Sequence, residues 1–295
     1  MEKIKKLLQS GKPILLDGAM GTMLFAAGLE AGKSPEEWNV LHPGKVRGIH
    51  RAYIEAGSQV ILTNTFGGSA IRLESHGLSE QVHDLNEAAA KNARAEADTA
   101  DHIVVVAGSI GPTGQILEPL GTLTKEAARK SFAAQAGGLA AGGVDMFWIE
   151  TMSDLEEVKA AIAGVRSVSN LPIAATMSFD THGHTMMGIK PEQASKILHL
   201  EEIQFLGANC GTGSDELIDA IKAFKSTNPE LPLIAKANAG IPVVEGTEVV
   251  YNGSPELMAE YAVKVWNEGA RLIGGCCGSS PEHIQAMAKA LADLT

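Results

Sequence analysis

Cysteine is scarce in this chain. Three stand among 295 residues, at positions 210, 276 and 277. A set that small and odd in number cannot form a disulfide framework, which excludes a small stapled scaffold. Basic residues are in deficit, 24 against 35 acidic, for a formal charge of -11. An acidic surface argues against nucleic acid and anionic membrane as partners. No apolar run approaches the ~20 residues that span a bilayer. The first residues, MEKIKKLLQSGK, alternate charge with apolar side chains and lack the apolar core of a signal peptide. These absences predict a soluble protein of a reduced compartment, the cytoplasm.

What is present is a repeated alternation. Short β-rich runs are followed by loops and then by Ala/Glu/Lys-rich segments with helical spacing. Strands are predicted at 13–17, 60–64, 103–108, 146–150, 173–179, 204–209, 233–238 and 271–275. Helices are predicted at 43–56, 79–97, 124–142, 153–168, 191–200, 214–225, 254–268 and 280–293. Several open on capping signals: Ser153-Asp154, Ser254-Pro255-Glu256 and Ser280-Pro281-Glu282. The strand runs are almost continuously apolar, as parallel strands covered on both faces should be. No G-x-G-x-x-G fingerprint follows the first strand, which disfavours an open dinucleotide-binding sheet. The expected fold is α/β, a single (β/α)8 TIM barrel over 1–295. Such barrels place their active sites at the C-terminal ends of the strands.

That expectation gathers the cysteines. Cys210 follows strand six and Cys276-Cys277 follow strand eight. Strands six and eight flank strand seven, so all three thiols converge on one mouth. Three thiolates suit zinc and leave its fourth position open, the pattern of a catalytic rather than a structural site. Adjacent residues on a strand point to opposite faces, so the backbone must bend for both Cys276 and Cys277 to face one ion. Gly274, Gly275 and Gly278 allow that. A thiol entering the open position would be held as a thiolate. Three anionic ligands suit alkyl transfer to sulfur better than activation of water. Two other readings stay open: a vicinal disulfide, and cysteines that merely fill space. His182 and His184, in THGHT, read as a surface loop.

In order along the chain stand LLDGAMGT (15–22), LTNTF (62–66), GSIGP (108–112), WIET (148–151), GANCG (207–211), KANAGIP (236–242) and GGCCG (274–278). With these motifs the chain resembles the homocysteine-binding, zinc-dependent S-methyltransferase family. That family includes betaine–homocysteine and S-methylmethionine–homocysteine methyltransferases and the N-terminal module of cobalamin-dependent methionine synthase. The resemblance implies zinc held by Cys210, Cys276 and Cys277, with homocysteine bound as a thiolate. It implies substrate contacts from Asp17, from the backbone at Gly18 and Ala19, and from Glu150, the acid that meets the substrate ammonium. Asn238 matches an oxygen ligand that fills the fourth zinc position before substrate binds in some relatives. Asn64 and Thr65 are further candidates for pocket contacts. Each also has a plainer reading. Asp17 can be a turn former, Glu150 a cap for the helix beginning near 153, and Asn238, Asn64 and Thr65 loop or turn residues.

The resemblance makes the chain a methyltransferase that converts homocysteine to methionine. Trp38 is a candidate aromatic for a quaternary ammonium. However, Gly67 and Thr151 stand where the betaine-using branch carries tyrosines, so betaine is disfavoured. The expected donor is a small sulfonium, or a methyl-corrinoid held on a separate protein, since no folate or corrinoid domain is expected after the barrel. Three alternatives remain: a thiol-binding or metal-storing module that serves a larger complex, a redox switch on Cys276 and Cys277, and a Schiff-base enzyme using Lys236. The helical segments 124–142 and 254–268 are candidates for an interface between copies of the chain.

Overall fold

The computed structural model describes residues 2–180, 182–211, 213–245, 248–292 and 294. Eight parallel strands form one sheet: β1 (Ile14–Leu15), β2 (Val60–Leu62), β3 (Val105–Ile110), β4 (Met146–Met152), β5 (Ile173–Met177), β6 (Phe205–Asn209), β7 (Leu233–Ala237) and β10 (Ala270–Gly275). The order around the sheet is β1-β10-β7-β6-β5-β4-β3-β2. A parallel bridge from Leu16 to Val60 joins the two ends, and Asp17 N–H donates to Val60 O at 3.0 Å. The sheet is therefore a closed barrel, as the alternation predicts. The regular ladder of β1 is shorter than 13–17. Pro13 has no N–H to give, and from Leu16 onward the strand serves as the seam between β10 and β2.

Eight of the helices match the predicted segments: α4 (Pro43–Glu55), α6 (Val82–Ala97), α7 (Lys125–Ala141), α8 (Leu155–Arg166), α9 (Pro191–Leu200), α10 (Ser214–Thr227), α11 (Pro255–Asn267) and α12 (Pro281–Ala292). Residue 293, the predicted end of the last, lies outside the described residues. Side-chain caps explain some of the starts. Asp154 accepts from Glu156 N–H at 2.9 Å and Ser254 from Leu257 N–H at 3.3 Å. Four further helices were not predicted: α1 (Glu2–Gln9), α2 (Met20–Ala26), α3 (Trp38–Leu41) and α5 (Ala70–Glu74). All four are short, and three of them belong to loops at the mouth.

Two hydrophobic assemblies hold the barrel. Inside it, Ile14, Leu16, Val60, Met146, Trp148, Phe205, Ile234 and Leu272 pack together with Ile4 and Leu7 of α1. Lys3 donates to Val104 O and Arg271 to Gly11 O, both at the strand starts. Helix α1 therefore plugs the bottom, and the opposite end stays open for a site. Outside, the alternate strand residues pack on the apolar faces of the helices. An antiparallel hairpin, β8 (Pro242–Glu245) with β9 (Glu248–Tyr251), leaves the barrel after β7.

His50 on α4 is 0% exposed, and neither ring nitrogen has a hydrogen-bond partner among the described residues. Burial lowers its pKa to about 4, against the opposing pull of Glu96. The folded state therefore binds this proton less readily than the unfolded chain does. The sign of the linkage is loss of stability as pH falls from about 6.5 towards 4. We expect His50→Leu to remove that loss, worth up to about 3 kcal/mol at the acid end. Urea unfolding of both proteins at pH 7 and pH 4.5 measures it.

Candidate active site at the mouth of the barrel

The three cysteines meet. Cys210 Sγ lies 2.8 Å from Cys276 Sγ and 3.9 Å from Cys277 Sγ. All three sulfurs lie within 4.8 Å of one another, and all three thiols are free and half-buried. Their backbones hang on the end of β7. Cys210 N–H donates to Lys236 O at 3.0 Å and Cys276 N–H to Ala237 O at 2.7 Å. Cys210 adopts a left-handed conformation with φ +58°, an uncommon one for a residue with a Cβ. The chain turns away just after the cysteine pair at Gly278, whose φ is +77°. A Cβ there would lie 2.2 Å from the Tyr251 side chain, so only glycine fits.

Three thiols this close cannot all ionise unaided. Hydrogen bonds from Cys210 and Cys276 draw Cys277 down to about 3, despite its burial. Cys210 is pushed well up by its two sulfur neighbours and by burial. Cys210's thiol would draw Cys276 down, but Cys277 and burial hold it up. Burial and mutual repulsion oppose ionisation of all three; a divalent ion would offset both and bind the three sulfurs as thiolates. The cysteine group can therefore hold a metal.

Beside the sulfurs lies a charged cluster. Lys236 Nζ is 2.8 Å from Asp17 Oδ1, with each side chain 3% exposed. Leu62 N–H donates to Asp17 Oδ2 at 2.6 Å. Burial pushes the Asp17 carboxyl up, while Lys236 and the Leu62 N–H oppose it. Two donors on two different oxygens fit an ionised carboxylate. Burial would lower Lys236, but Asp17, Glu150 and Cys276 more than reverse this, and its pKa is raised. A protonated, paired lysine is a poor nucleophile, which removes the support for the Schiff-base reading.

Glu150 accepts a hydrogen bond from Ser109 Oγ. Burial raises its pKa to about 7, Cys276 and Asp17 add to the rise, and Lys236 and Ser109 oppose it. Helix α8 is capped by Asp154, so Glu150 is left to the cavity. The next residue, Thr151, is left-handed with φ +60°. Asn209 clamps it, accepting from Thr151 N–H at 2.9 Å and donating to Thr151 Oγ1 at 2.7 Å. The same Asn209 amide lies 3.8 Å from Cys276 Sγ.

A cavity of about 370 Å3 opens over these groups, walled by the three cysteines, Asp17, Glu150 and Lys236 on one side. Gly18, Ala19 and Asn64 also line it. At Gly18 a Cβ would meet the Tyr53 ring at 2.8 Å, and Tyr53 OH bridges to Ala19 O and Ser279 O. Ala19 N–H donates to Ser279 O at 3.2 Å. The Asn64 amide donates to Pro35 O at 2.7 Å, and Thr65 Oγ1 donates to Ser109 O at 2.7 Å. Asn238 ties the two cysteine loops together: its Oδ1 accepts from Cys277 N–H at 3.1 Å and its Nδ2 donates to Gly211 O at 2.8 Å.

Trp38 is not in the cavity wall. It is buried against His42 with ring centroids 4.7 Å apart, and the aromatic that lines the cavity is Phe66. Among the described residues His184 Nδ1 bonds to His182 O, at 3.1 Å, and neither histidine joins a cluster of metal donors. Sequence reasoning missed Ser109, because strand three runs to Ile110 rather than 108. It also missed Asn209, although its place beside Cys210 at a strand end was a usable signal.

The geometry agrees with known proteins. The model of the homocysteine S-methyltransferase family matches residues 14–291. The chain is 33% identical over 293 residues to methionine synthase of Mycobacterium leprae, and 32% identical over 295 residues to that of Mycobacterium tuberculosis. Each alignment covers 94% of this chain and 24% of the relative, so the chain spans about a quarter of their length. The metallated form of the homocysteine methyltransferase MmuM from Escherichia coli superposes with a TM-score of 0.81, at 25% identity, over 97% of this chain and 99% of that one. Its oxidized form gives 0.80 at 26% identity, with the same coverage. The chain belongs to the homocysteine S-methyltransferase family.

Proposed function

We propose that this protein is a zinc-dependent methyltransferase that transfers a methyl group to the thiolate of homocysteine, forming methionine. The observation that carries this reading is the meeting of three cysteine sulfurs within 4.8 Å of one another, in one cavity with Glu150 and Asp17. An all-sulfur donor set suits zinc among the common divalent ions. When bound by Cys210, Cys276 and Cys277, zinc would keep a substrate thiol deprotonated and nucleophilic at neutral pH.

The remaining chemistry belongs to the chain. Glu150, braced by Ser109, offers a carboxylate to the substrate ammonium. Asp17 and Lys236 fix the charge beside it. Asn209 aims its amide at Cys276 Sγ and holds Thr151 in place. The walls of the cavity orient the amino acid so that its sulfur meets the donor methyl in a single displacement. Positioning of this kind contributes several kcal/mol to the lowering of a barrier. The sulfur forms the new bond to the methyl carbon, and the donor leaves with the electron pair of the bond that breaks.

The donor in this reading is a small sulfonium or a methyl-corrinoid on a separate protein. Relatives of about four times the length are named methionine synthases, which supports methionine as the product. Unpaired thiols at the site suit the reducing cytoplasm. Among the described residues no helix is long and apolar enough to cross a membrane.

Two outcomes are expected. Zinc-loaded protein should form methionine from homocysteine with one donor among S-methylmethionine, dimethylsulfoniopropionate, betaine, methyltetrahydrofolate and methylcobalamin. Cys276→Ala should lose both the metal and turnover, and full zinc-dependent turnover in that variant would sink the assignment. Silence across the panel with homocysteine binding intact would favour a partner-borne donor.

A further expectation concerns pH. Glu150 titrates near 7, and only its ionised form attracts an ammonium. Binding of methionine, which has no thiol to titrate, should therefore weaken by about tenfold per unit as pH falls below 6.5 and level off above 7.5. In Glu150→Gln the profile should be flat. Calorimetric titration from pH 5.5 to 8.5 measures both.

A further inference from the structure

The cavity wall holds three carboxylates, Asp17, Glu36 and Glu150, and they are not equivalent. Both oxygens of Glu36 are occupied, one by Gly67 N–H at 2.7 Å and the other by Ser34 Oγ at 2.7 Å. Both oxygens of Asp17 are occupied, one by Lys236 Nζ at 2.8 Å and the other by Leu62 N–H at 2.6 Å. Glu150 has a single donor, Ser109, and no cation within ion-pair distance among the described residues. Lys236 carries three N–H donors and directs one of them to Asp17. Its ammonium also lies 5.9 Å from the centroid of the Trp148 ring. It stands in the cavity wall with the cysteines.

We propose that Lys236 is a positioning residue that reserves Asp17 for itself, leaves Glu150 to receive the substrate ammonium, and so selects an amino-acid thiol over an aminothiol without a carboxylate. This inference rests on the homocysteine reading above. The charges support it. In the cavity wall Asp17, Glu36 and Glu150 stand against Lys236 and Arg72, which leaves one negative charge, and one substrate ammonium balances it. The substrate carboxylate then approaches a site with a fixed cation at its base. Without Lys236 the same space would hold two uncompensated carboxylates, which attract an amine and repel a carboxylate. Lys236 thus acts on both ends of the amino acid without touching the sulfur.

The test compares homocysteine with 3-aminopropane-1-thiol, the same molecule without its carboxylate, in competition binding to the zinc-loaded protein. Wild type should prefer homocysteine. Lys236→Met should move the ratio of affinities towards the aminothiol by about tenfold or more, the equivalent of one charged contact. Lys236→Arg should keep the wild-type preference. A merely structural role would weaken both thiols by the same factor and leave the ratio unmoved, which would overturn the proposal.

Removing one partner of a buried pair destabilises more than replacing both, so the double variant Asp17→Asn/Lys236→Met supplies a second measurement. In Asp17→Asn the freed lysine should turn on Glu150 and weaken homocysteine binding. The double variant should bind homocysteine more tightly than Asp17→Asn alone. Weaker binding by the double variant would mean that the freed lysine does not compete for Glu150, and would contradict the division of roles. Failure of the wild type to bind either thiol would instead overturn the homocysteine reading, and this inference with it.

Discussion

The site depends on the position of β7 between β6 and β10. Parallel pairing forces the ends of those two strands to the same height on either side of it. The hydrogen bonds that continue the ladder past the strand ends, from Cys210 to Lys236 O and from Cys276 to Ala237 O, carry both cysteine loops. Asn238, just beyond β7, then ties one loop to the other. The pairing of β1 with β10 brings Asp17 to the same mouth, where Gly275 N–H donates to Asp17 O at 3.1 Å. A barrel opened between Leu16 and Val60 would keep Asp17 beside the sulfurs and lose the Leu62 N–H that holds its carboxylate.

The mouth concentrates groups that a protein buries only at a cost. Three carboxylates, an ammonium and three thiols share one partly enclosed cavity, and burial acts against the charged forms of Asp17, Glu150, Lys236 and the thiols. The structure offsets this with fixed partners: Lys236 and Leu62 N–H for Asp17, Ser109 for Glu150, and neighbouring thiols for Cys277. Glu150 and the cysteines keep the largest imbalance, Glu150 with its pKa raised to about 7 and the crowded sulfurs opposing one another's ionisation. An ammonium for the one and a divalent cation for the other would settle both. Groups whose pKa values depart most from the ordinary mark the functional end of the molecule, whereas His50, equally buried, has no cavity to serve.

Much of this was legible in the sequence, for physical reasons. Strands buried on both faces are written as unbroken apolar runs, so the eight barrel strands stood out, and long amphipathic helices with Ser or Asp caps did too. The cysteines could be brought together from topology alone, because strand order in a barrel is nearly fixed once the alternation is seen. Short elements were not legible. Helices α2, α3 and α5 have too few residues for a period, and the hairpin of β8 and β9 follows a strand where a helix was the default. The proposed division of roles between Asp17 and Glu150 was also hidden. It depends on where Lys236 points, and a lysine on a strand reads equally well as a nucleophile or a counter-ion. Trp38 looked available as an aromatic wall, but the short helix that carries it turns the ring towards His42 instead.

The central claim is that Cys210, Cys276 and Cys277 hold zinc with one position left for the substrate sulfur. X-ray absorption at the zinc edge tests it most directly, on the zinc-loaded protein before and after addition of homocysteine. The account predicts three sulfur neighbours at about 2.3 Å in the free protein and four with homocysteine. A sulfur count that does not change on addition, or zinc bound mainly through nitrogen and oxygen, would contradict it.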